Sequence, residues 1–237
     1  MTASAVRKPE SGDAGLPLEF RGRQFVGLPS GALFWPAEAA LLVADLHLEK
    51  MSSFAAAGQL LPPYDTGATL SRLAADLEAT GARAVICLGD SFHRDEGPGT
   101  LMSADRDALG SLMRHRHWTW IAGNHDPAPH GLGGVCAAAL EQAGLHLCHH
   151  PDPHVPGQIA GHLHPAARVH VNGRATRRRC FAWDGERMIL PAYGVSTGSL
   201  NVLGPAFAGL FVMHEINVAM LGRDWVWPVA RRHLVRG

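Results

Sequence analysis

Ala84-Val85-Ile86-Cys87-Leu88-Gly89-Asp90 is the stretch that decides the fold. Five apolar residues run without a polar interruption and stop at glycine, which reads as a buried strand. A strand apolar on both faces calls for a parallel sheet covered by other layers. A carboxylate follows that strand directly, and the same pattern recurs on either side. Ala40-Leu41-Leu42-Val43-Ala44 leads into Asp45-Leu46-His47, and Trp118-Thr119-Trp120-Ile121-Ala122 into Gly123-Asn124-His125-Asp126. Gln158-Ile159-Ala160 leads into Gly161-His162-Leu163-His164. Oxygen and imidazole donors therefore gather at strand C-termini, where α/β folds place their sites. Asp, Asn and His without paired Cys suit a divalent metal such as Mn²⁺, Fe²⁺ or Zn²⁺.

Between these strands, Asp65 can cap a helix with the apolar stripe Leu70, Leu73, Ala74 and Leu77, ending at Gly81. A second helix is expected from Ser103 to His115 and a third from Gly134 to Gln142. Strand and helix alternating from 40 to 150 describe parallel βαβ units. Upstream, Pro17 to Trp35 reads as two short strands around Gly27 to Gly31. Downstream, Arg168 to Val171, Arg174 to Trp183 and Arg187 to Leu190 read as strands, with Asn172-Gly173 and Asp184-Gly185 as tight turns. Ala206 to Met213, Val218 to Leu221 and Trp225 to Trp227 continue that β-rich half. No repeat or long linker divides the chain. Residues 1–15 are expected to form a flexible arm, and 16–237 a single α/β (α+β) domain.

The 237 residues, 46% of them hydrophobic, suffice for one sizeable core. Lys and Arg total 21, as do Asp and Glu, so no overall field draws the protein to nucleic acid or membrane, and any polyanion must be held locally. No apolar stretch is long enough to cross a bilayer, and the N-terminus has no signal-like apolar core. Cys87, Cys136, Cys148 and Cys180 are widely spaced and read as reduced thiols, which fits a cytoplasmic protein without a membrane partner. Fifteen histidines are the one compositional oddity. Of these, His115, His117, His130, His146, His154, His170, His214 and His233 read as surface or core residues.

Asp45 and His47 are two apart at a strand end, where both side chains can turn toward one ion. Asp90 follows its strand directly and suits a bridging role between two ions. Asn124 offers a neutral oxygen, and His162 and His164 repeat the two-residue spacing. A further ligand should come from between Leu145 and His150. Any one of these motifs alone could be an ordinary turn; their joint occurrence in this order, each after an apolar strand, is what points to a site.

The order D-x-H, G-D, G-N-H-D, single His, G-H-x-H resembles the calcineurin-like metallophosphoesterase superfamily, from residue 40 to about 165. The resemblance implies two packed mixed β-sheets flanked by helices. It implies Asp45, His47, Asp90 and His164 around one metal, and Asp90 as bridge, Asn124, His149 and His162 around the other. His125 would face the substrate without binding metal. Within the superfamily the motifs, with Arg179-Cys180-Phe181 and Leu190-Pro191-Ala192-Tyr193-Gly194, resemble the ligase-associated DNA damage response endonucleases. Members of that subgroup lie beside an ATP-dependent DNA ligase, a helicase and a β-lactamase-fold exonuclease, which the resemblance makes candidate partners. Two departures stand out. His149-His150-Pro151 offers two histidines where one is expected, the spacing from Leu145-x-Leu147 favouring His149; and position 94 is Arg where an acidic residue is expected.

The cofactors implied are two divalent ions, Mn²⁺ first, with Fe²⁺, Zn²⁺ or Mg²⁺ also able to fill the role. Their charge exceeds that of Asp45, Asp90 and a bridging hydroxide, so the site attracts a phosphodiester monoanion. The hydroxide would attack phosphorus while His125 protonates the leaving alkoxide. Asp126 either orients His125 or caps a following helix. His93 and Arg94 are candidate substrate contacts with Asn124. Arg177-Arg178-Arg179 alternates across a strand, as a phosphate-backbone patch or as a solvated face. The activity expected is a DNA endonuclease of DNA repair. A phosphomonoesterase or small-nucleotide phosphodiesterase shares the same metal chemistry, and a non-catalytic protein-binding scaffold would need broken ligands, of which there are none.

Overall fold

The computed structural model describes residues 15–56, 58, 64–171 and 173–236. Residues 1–14 of the expected arm, and Asn172 of the expected Asn172-Gly173 turn, lie outside the described residues. The first sheet runs in chain order through β1 (Leu16–Phe20), β2 (Arg23–Gly27), β3 (Leu33–Trp35), β4 (Ala40–Val43), β5 (Ala84–Leu88), β6 (His117–Ile121) and β7 (Val135–Ala137). It is antiparallel up to β4 and parallel from β4 to β7. The parallel strands are joined through α1 (Lys50–Ala56), α2 (Asp65–Thr80), α3 (Gly97–Thr100) and α4 (Ser103–Met113).

The second sheet contains β8 (Leu140–Gln142), β9 (Leu145–Cys148), β10 (Gln158–Ala160), β11 (Pro165–Val171), β12 (Arg174–Trp183), β13 (Arg187–Ile189) and β14 (Leu200–Asn201). Its spatial order is β14-β11-β12-β13-β10-β9-β8. β15 (Asn217–Leu221) also pairs with β12, and β16 (Val226–Val229) with β15. β9, β10 and β13 are parallel, so β9 and β10 end at the same sheet edge.

Strand periodicity explains why the runs must be apolar throughout. Leu42, Ile86, Leu88 and Ile121 face the second sheet and pack with Leu147, Ile159, Phe181 and Met188. The alternate residues Leu41, Val43, Val85 and Cys87 face outward onto Leu70, Leu73, Leu77 and Leu109 of the helices. The far side of the second sheet, Val169, Cys180 and Ala182, is covered by Phe207, Leu210 and Phe211. Helix layer, sheet and sheet thus stack with the motif-bearing strand ends gathered along one edge.

Several local expectations need correction. Pro17 to Trp35 holds three strands rather than two, because Arg21 and Gly22, at φ 52° and 72°, form a turn that splits the first. Gly134 to Gln142 is not a helix but β7 and β8. Gly134 has φ 79°, and a Cβ there would lie 2.7 Å from the Trp118 carbonyl oxygen, while Val135 to Ala137 take up the free edge of β6. Alanine-rich composition is overridden there by strand pairing. Ala206 to Met213 is not a strand; Pro205 starts a short 3₁₀ turn, and Phe207 and Phe211 stack as a lid over the second sheet. Asp65 is the first residue of α2 but does not cap it; its Oδ2 accepts the Met51 amide at 3.1 Å and so caps α1. Gly81 ends α2 in the left-handed conformation, as expected.

Ile86 sits fully inside the layer between the sheets, two residues from the site-bearing end of β5. Ile86→Ala should lower the unfolding free energy by about 2–5 kcal/mol, the usual cost of a cavity at such a position, measured by urea denaturation.

Candidate metal centre

The chain turns sharply where each motif leaves its strand, and it does so at an energetic cost. Asp45, His47, Asp90, His162 and His164 all have left-handed backbones, with φ of 53°, 43°, 47°, 68° and 45°. Non-glycine residues rarely adopt this region, each at about 1–3 kcal/mol, and they do so where the surroundings over-determine them, which is the mark of a functional site. Backbone bonds hold the turns together. The His47 amide donates to the Asp90 carbonyl at 2.9 Å, and Asp45 to Gly89 at 3.2 Å. Gly123 is required by approach rather than by φ: a Cβ there would lie 2.2 Å from the Asp90 amide nitrogen and Oδ1. Gly89 answers to both constraints, since it has φ 77° and a Cβ would strike the His149 ring at 2.4 Å.

The side chains converge in two adjoining clusters. In one, Asp45 Oδ1 lies 3.3 Å from His164 Nε2, which lies 3.4 Å from His47 Nε2. In the other, His149 Nε2 lies 3.0 Å from Asn124 Oδ1 and 3.2 Å from His162 Nδ1. Asp90 belongs to both: Oδ2 is 3.8 Å from His47 Nε2, and Oδ1 is 3.4 Å from His149 Nε2. Ligands at about 2.0–2.2 Å from one divalent ion stand about 3.0–3.6 Å apart at the corners of an octahedron or tetrahedron. The donor spacings here fall almost entirely in that range, and these buried His and Asp groups could hold metal ions.

Electrostatics prepares the same donors. Burial, reinforced by the charges of His164 and Lys50, lowers His47 to about 3 despite Asp90. Burial with His150 and His149 lowers His162 to about 4. Both imidazoles are therefore neutral and free to donate lone pairs. For Asp90, burial acts upward but is outweighed by His149, the His125 amide and His47, which hold the carboxyl well below its usual range. His149 goes the other way: its burial is outweighed by Asp90 and Asp45, which raise it. His149 Nδ1 lies 2.9 Å from the Leu88 carbonyl and donates to it, which leaves Nε2 facing the cluster.

The remaining candidates separate by position. His150 is exposed, its ring tilted at 51° to that of His162 with centroids 4.0 Å apart, and it joins His149 and His162 in one group that could hold an ion. The ring that reaches the cluster centre is His149. His125 is exposed; its Nδ1 lies 3.1 Å from the His93 carbonyl, and its ring stacks on His93 at 5.1 Å. His93 Nδ1 in turn lies 3.5 Å from His47 Nδ1. Arg94 is half-buried, with a buried Nε that has no hydrogen-bond partner among the described residues. Asp126 does not fill either expected role. Its carboxylate is buried and accepts the Phe92 amide and His130 Nε2, both at 3.0 Å, rather than touching the His125 ring. No described helix follows for it to cap, the next element being β7.

His130, a background histidine by sequence, is thus tied to the site: it fixes Asp126, which fixes the amide two residues after Asp90. The i, i+4 spacing is its only sequence signal. Glu49 lies in the Asp45-Leu46-His47-Leu48-Glu49-Lys50 stretch that resembles the endonuclease subgroup, but the sequence gives it no role. It is buried with φ 62°, and its carboxylate accepts Thr66 and Ser52 hydroxyls at 2.9 and 2.6 Å, anchoring the start of α1 beside the site.

Among solved structures, nuclease MPE from Pseudomonas putida matches with a TM-score of 0.69 and 30% identity, over 91% of this chain and all of that one. Yfce, a phosphoesterase from E. coli, matches at a TM-score of 0.37 and 15% identity, over 83% of this chain and 96% of that one. No family model and no curated protein matches the chain. The fold, the clustered donors and the extent of the first match define a metal-dependent phosphoester hydrolase. The chain belongs to the metallophosphoesterase family.

Removing an outer support of a metal site usually costs about 10–100-fold in metal affinity. His130→Ala should lower Mn²⁺ affinity by that factor in isothermal titration calorimetry, while His130→Gln, which can still donate to Asp126, should keep most of it.

Proposed function

We propose that this protein is a dinuclear metal-dependent phosphodiesterase that cuts DNA. The observation carrying the dinuclear reading is the division of Asp90, with one oxygen toward His47 and the other toward His149. One ion is assigned to Asp45, His47, Asp90 and His164, and the other to Asp90, Asn124, His149 and His162. Mn²⁺ is assigned first on the sequence resemblance; four imidazoles, two carboxylates and one amide oxygen without a thiolate also accommodate Fe²⁺ or Zn²⁺. When bound, the ions lower the pKa of a coordinated water and neutralise charge that develops on the phosphoryl oxygens.

The chain's own residues supply the rest. The Nδ1 proton of His125 is engaged by the His93 carbonyl, which orients the ring and leaves Nε2 to protonate the departing oxygen. Stacking on His93 restricts ring rotation. Asn124 and His125 are exposed at the mouth, with His93 and Arg94 beside them, so this rim is assigned to the substrate phosphate. DNA as substrate is supported by the likeness to a nuclease over the whole of that protein's length. A place in DNA repair, with the ligase, helicase and exonuclease as partners in the cytoplasm, extends the sequence resemblance. No described helix is long and apolar enough to cross a membrane.

Protein stripped with EDTA should be inactive and regain activity with Mn²⁺, and bis-p-nitrophenyl phosphate should be turned over with a higher kcat/KM than p-nitrophenyl phosphate. A preference for the monoester would replace the diesterase reading with a phosphatase.

His125→Asn should leave metal binding intact and reduce DNA turnover by about 10²–10⁴-fold, the usual worth of a positioned general acid. The loss should be much smaller with p-nitrophenolate as leaving group, which needs little protonation. Equal losses on the two substrates, read from kcat values, would make His125 a phosphate clamp instead.

A further inference from the structure

Arginines are unevenly distributed in this chain. A cavity of about 740 Å³, lined by none of the donor residues above, has Arg72, Arg177, Arg178, Arg179 and Arg223 in its wall and no Asp or Glu. In a protein with 21 basic and 21 acidic side chains, this is a strong local segregation of charge. None of the five forms an ion pair among the described residues. The carboxylate whose charge bears on Arg72, Asp76, is taken up by the Tyr193 hydroxyl at 2.8 Å and by Ser30. Asp224, next to Arg223 in sequence, is exposed.

The arginines fall into two kinds. Arg72 and Arg179 are half-buried and held by backbone. Arg72 donates to the Tyr193 carbonyl at 2.7 Å, and Arg179 to those of Ala192 and Gly194 at 2.7 and 3.0 Å. Burial and the charge of Arg72 together push Arg179 down from its ordinary pKa, and Asp76, which acts on Arg72, is the one carboxylate whose charge is felt beside this pair among the described residues. Like charges drawn out of water this way are costly unless an anion joins them. Arg178 and Arg223 are exposed and their side chains make no hydrogen bond to a described residue, which leaves their forked donors free.

The segment holding these arginines also borders the metal centre. Gly194, whose carbonyl takes Arg179, gives its amide to the Asp45 carbonyl at 3.2 Å. Ser199, whose carbonyl takes Arg177, precedes Leu200, whose amide donates to the His164 carbonyl at 2.9 Å. Residues 192–200 thus carry arginine donors on one side and brace Asp45 and His164 on the other.

We propose that this cavity binds the phosphate backbone of the nucleic-acid strand flanking the bond to be cut, an inference that rests on the phosphodiesterase reading above. Guanidinium forks match phosphate oxygens in pairs, and five of them exceed what one phosphate group neutralises. A neutral chain can therefore hold a polyanion through one concentrated patch, with the rest of its surface contributing little.

Arg178 and Arg223 make no hydrogen bond or ion pair through their side chains with a described residue, so Arg178→Glu/Arg223→Glu should leave the fold undisturbed, checked by circular dichroism. Binding of a fluorescein-labelled single-stranded oligonucleotide to the full chain is measured by anisotropy in EDTA, where nothing is cleaved. The variant should bind at least tenfold more weakly than wild type. The slope of log affinity against log salt should fall by about 1.4, since each phosphate no longer neutralised on a single strand is worth about 0.7. With Mn²⁺, the kcat/KM ratio of oligonucleotide to bis-p-nitrophenyl phosphate should fall by a similar factor. Oligonucleotide affinity and salt slope equal to wild type, or no binding by wild type at all, would overturn the assignment. If wild type binds the oligonucleotide through these arginines but hydrolyses neither substrate, the cavity assignment stands and the phosphodiesterase reading fails.

Discussion

The division of one carboxylate between two clusters is the constraint on which the rest of the site depends. Asp90 must offer one oxygen toward His47, from the end of β4, and the other toward His149, from the end of β9 in the opposite sheet. That is possible only if the two sheets pack with these strand ends at one edge. The apolar layer of Leu42, Ile86 and Leu88 against Leu147 and Ile159 fixes that relation. The geometry of the site is therefore set by the thickness of the core beneath it. Left-handed turns, a glycine at 89 and another at 123 are local consequences of bringing five strand ends within ligand distance.

Supporting bonds within the chain hold this strained arrangement in place. The His125 and His162 amides point at the Asp90 and Asp45 carboxylates at 2.9 and 3.0 Å, so both anions are oriented by backbone donors as well as by imidazoles. Asp126, braced by His130, holds the Phe92 amide and with it the turn after Asp90. The rim above is looser by comparison: Asn124 and His125 are exposed, and His125 is held by one carbonyl and one stacked ring. Rigid donors below and adaptable side chains above are the arrangement that the proposed function requires.

Much of this is legible in the sequence, for identifiable reasons. Apolar runs that stop at Asp45, at Gly89-Asp90, at Gly123-Asn124 and at Gly161-His162 mark buried parallel strands, and β4, β5, β6 and β10 appear where those runs lie. Asp45, His47, Asp90, Asn124, His149, His162 and His164, each drawn from such an end or from the single-histidine motif, are brought together in space. What stays hidden is information held by pairing rather than by composition. Gly134 to Gln142 has helix-forming residues, yet a free strand edge claims Val135 to Ala137. His130 and Asp65 are misread because their partners, Asp126 and the Met51 amide, are fixed by turns that no periodicity announces. The Arg177 to Arg179 strand can be seen as basic, but only the fold adds Arg72 and Arg223 to the same cavity.

The claim that Asp90 joins two adjacent cation sites is tested most directly by electron paramagnetic resonance of the Mn²⁺-loaded protein. Two ions held at about 3–4 Å, the spacing of two-metal hydrolases, should give the multiline spectrum of an exchange-coupled pair, and Asp90→Asn should weaken or abolish that coupling. A simple six-line spectrum of isolated Mn²⁺ at saturating metal, unchanged in Asp90→Asn, would contradict it.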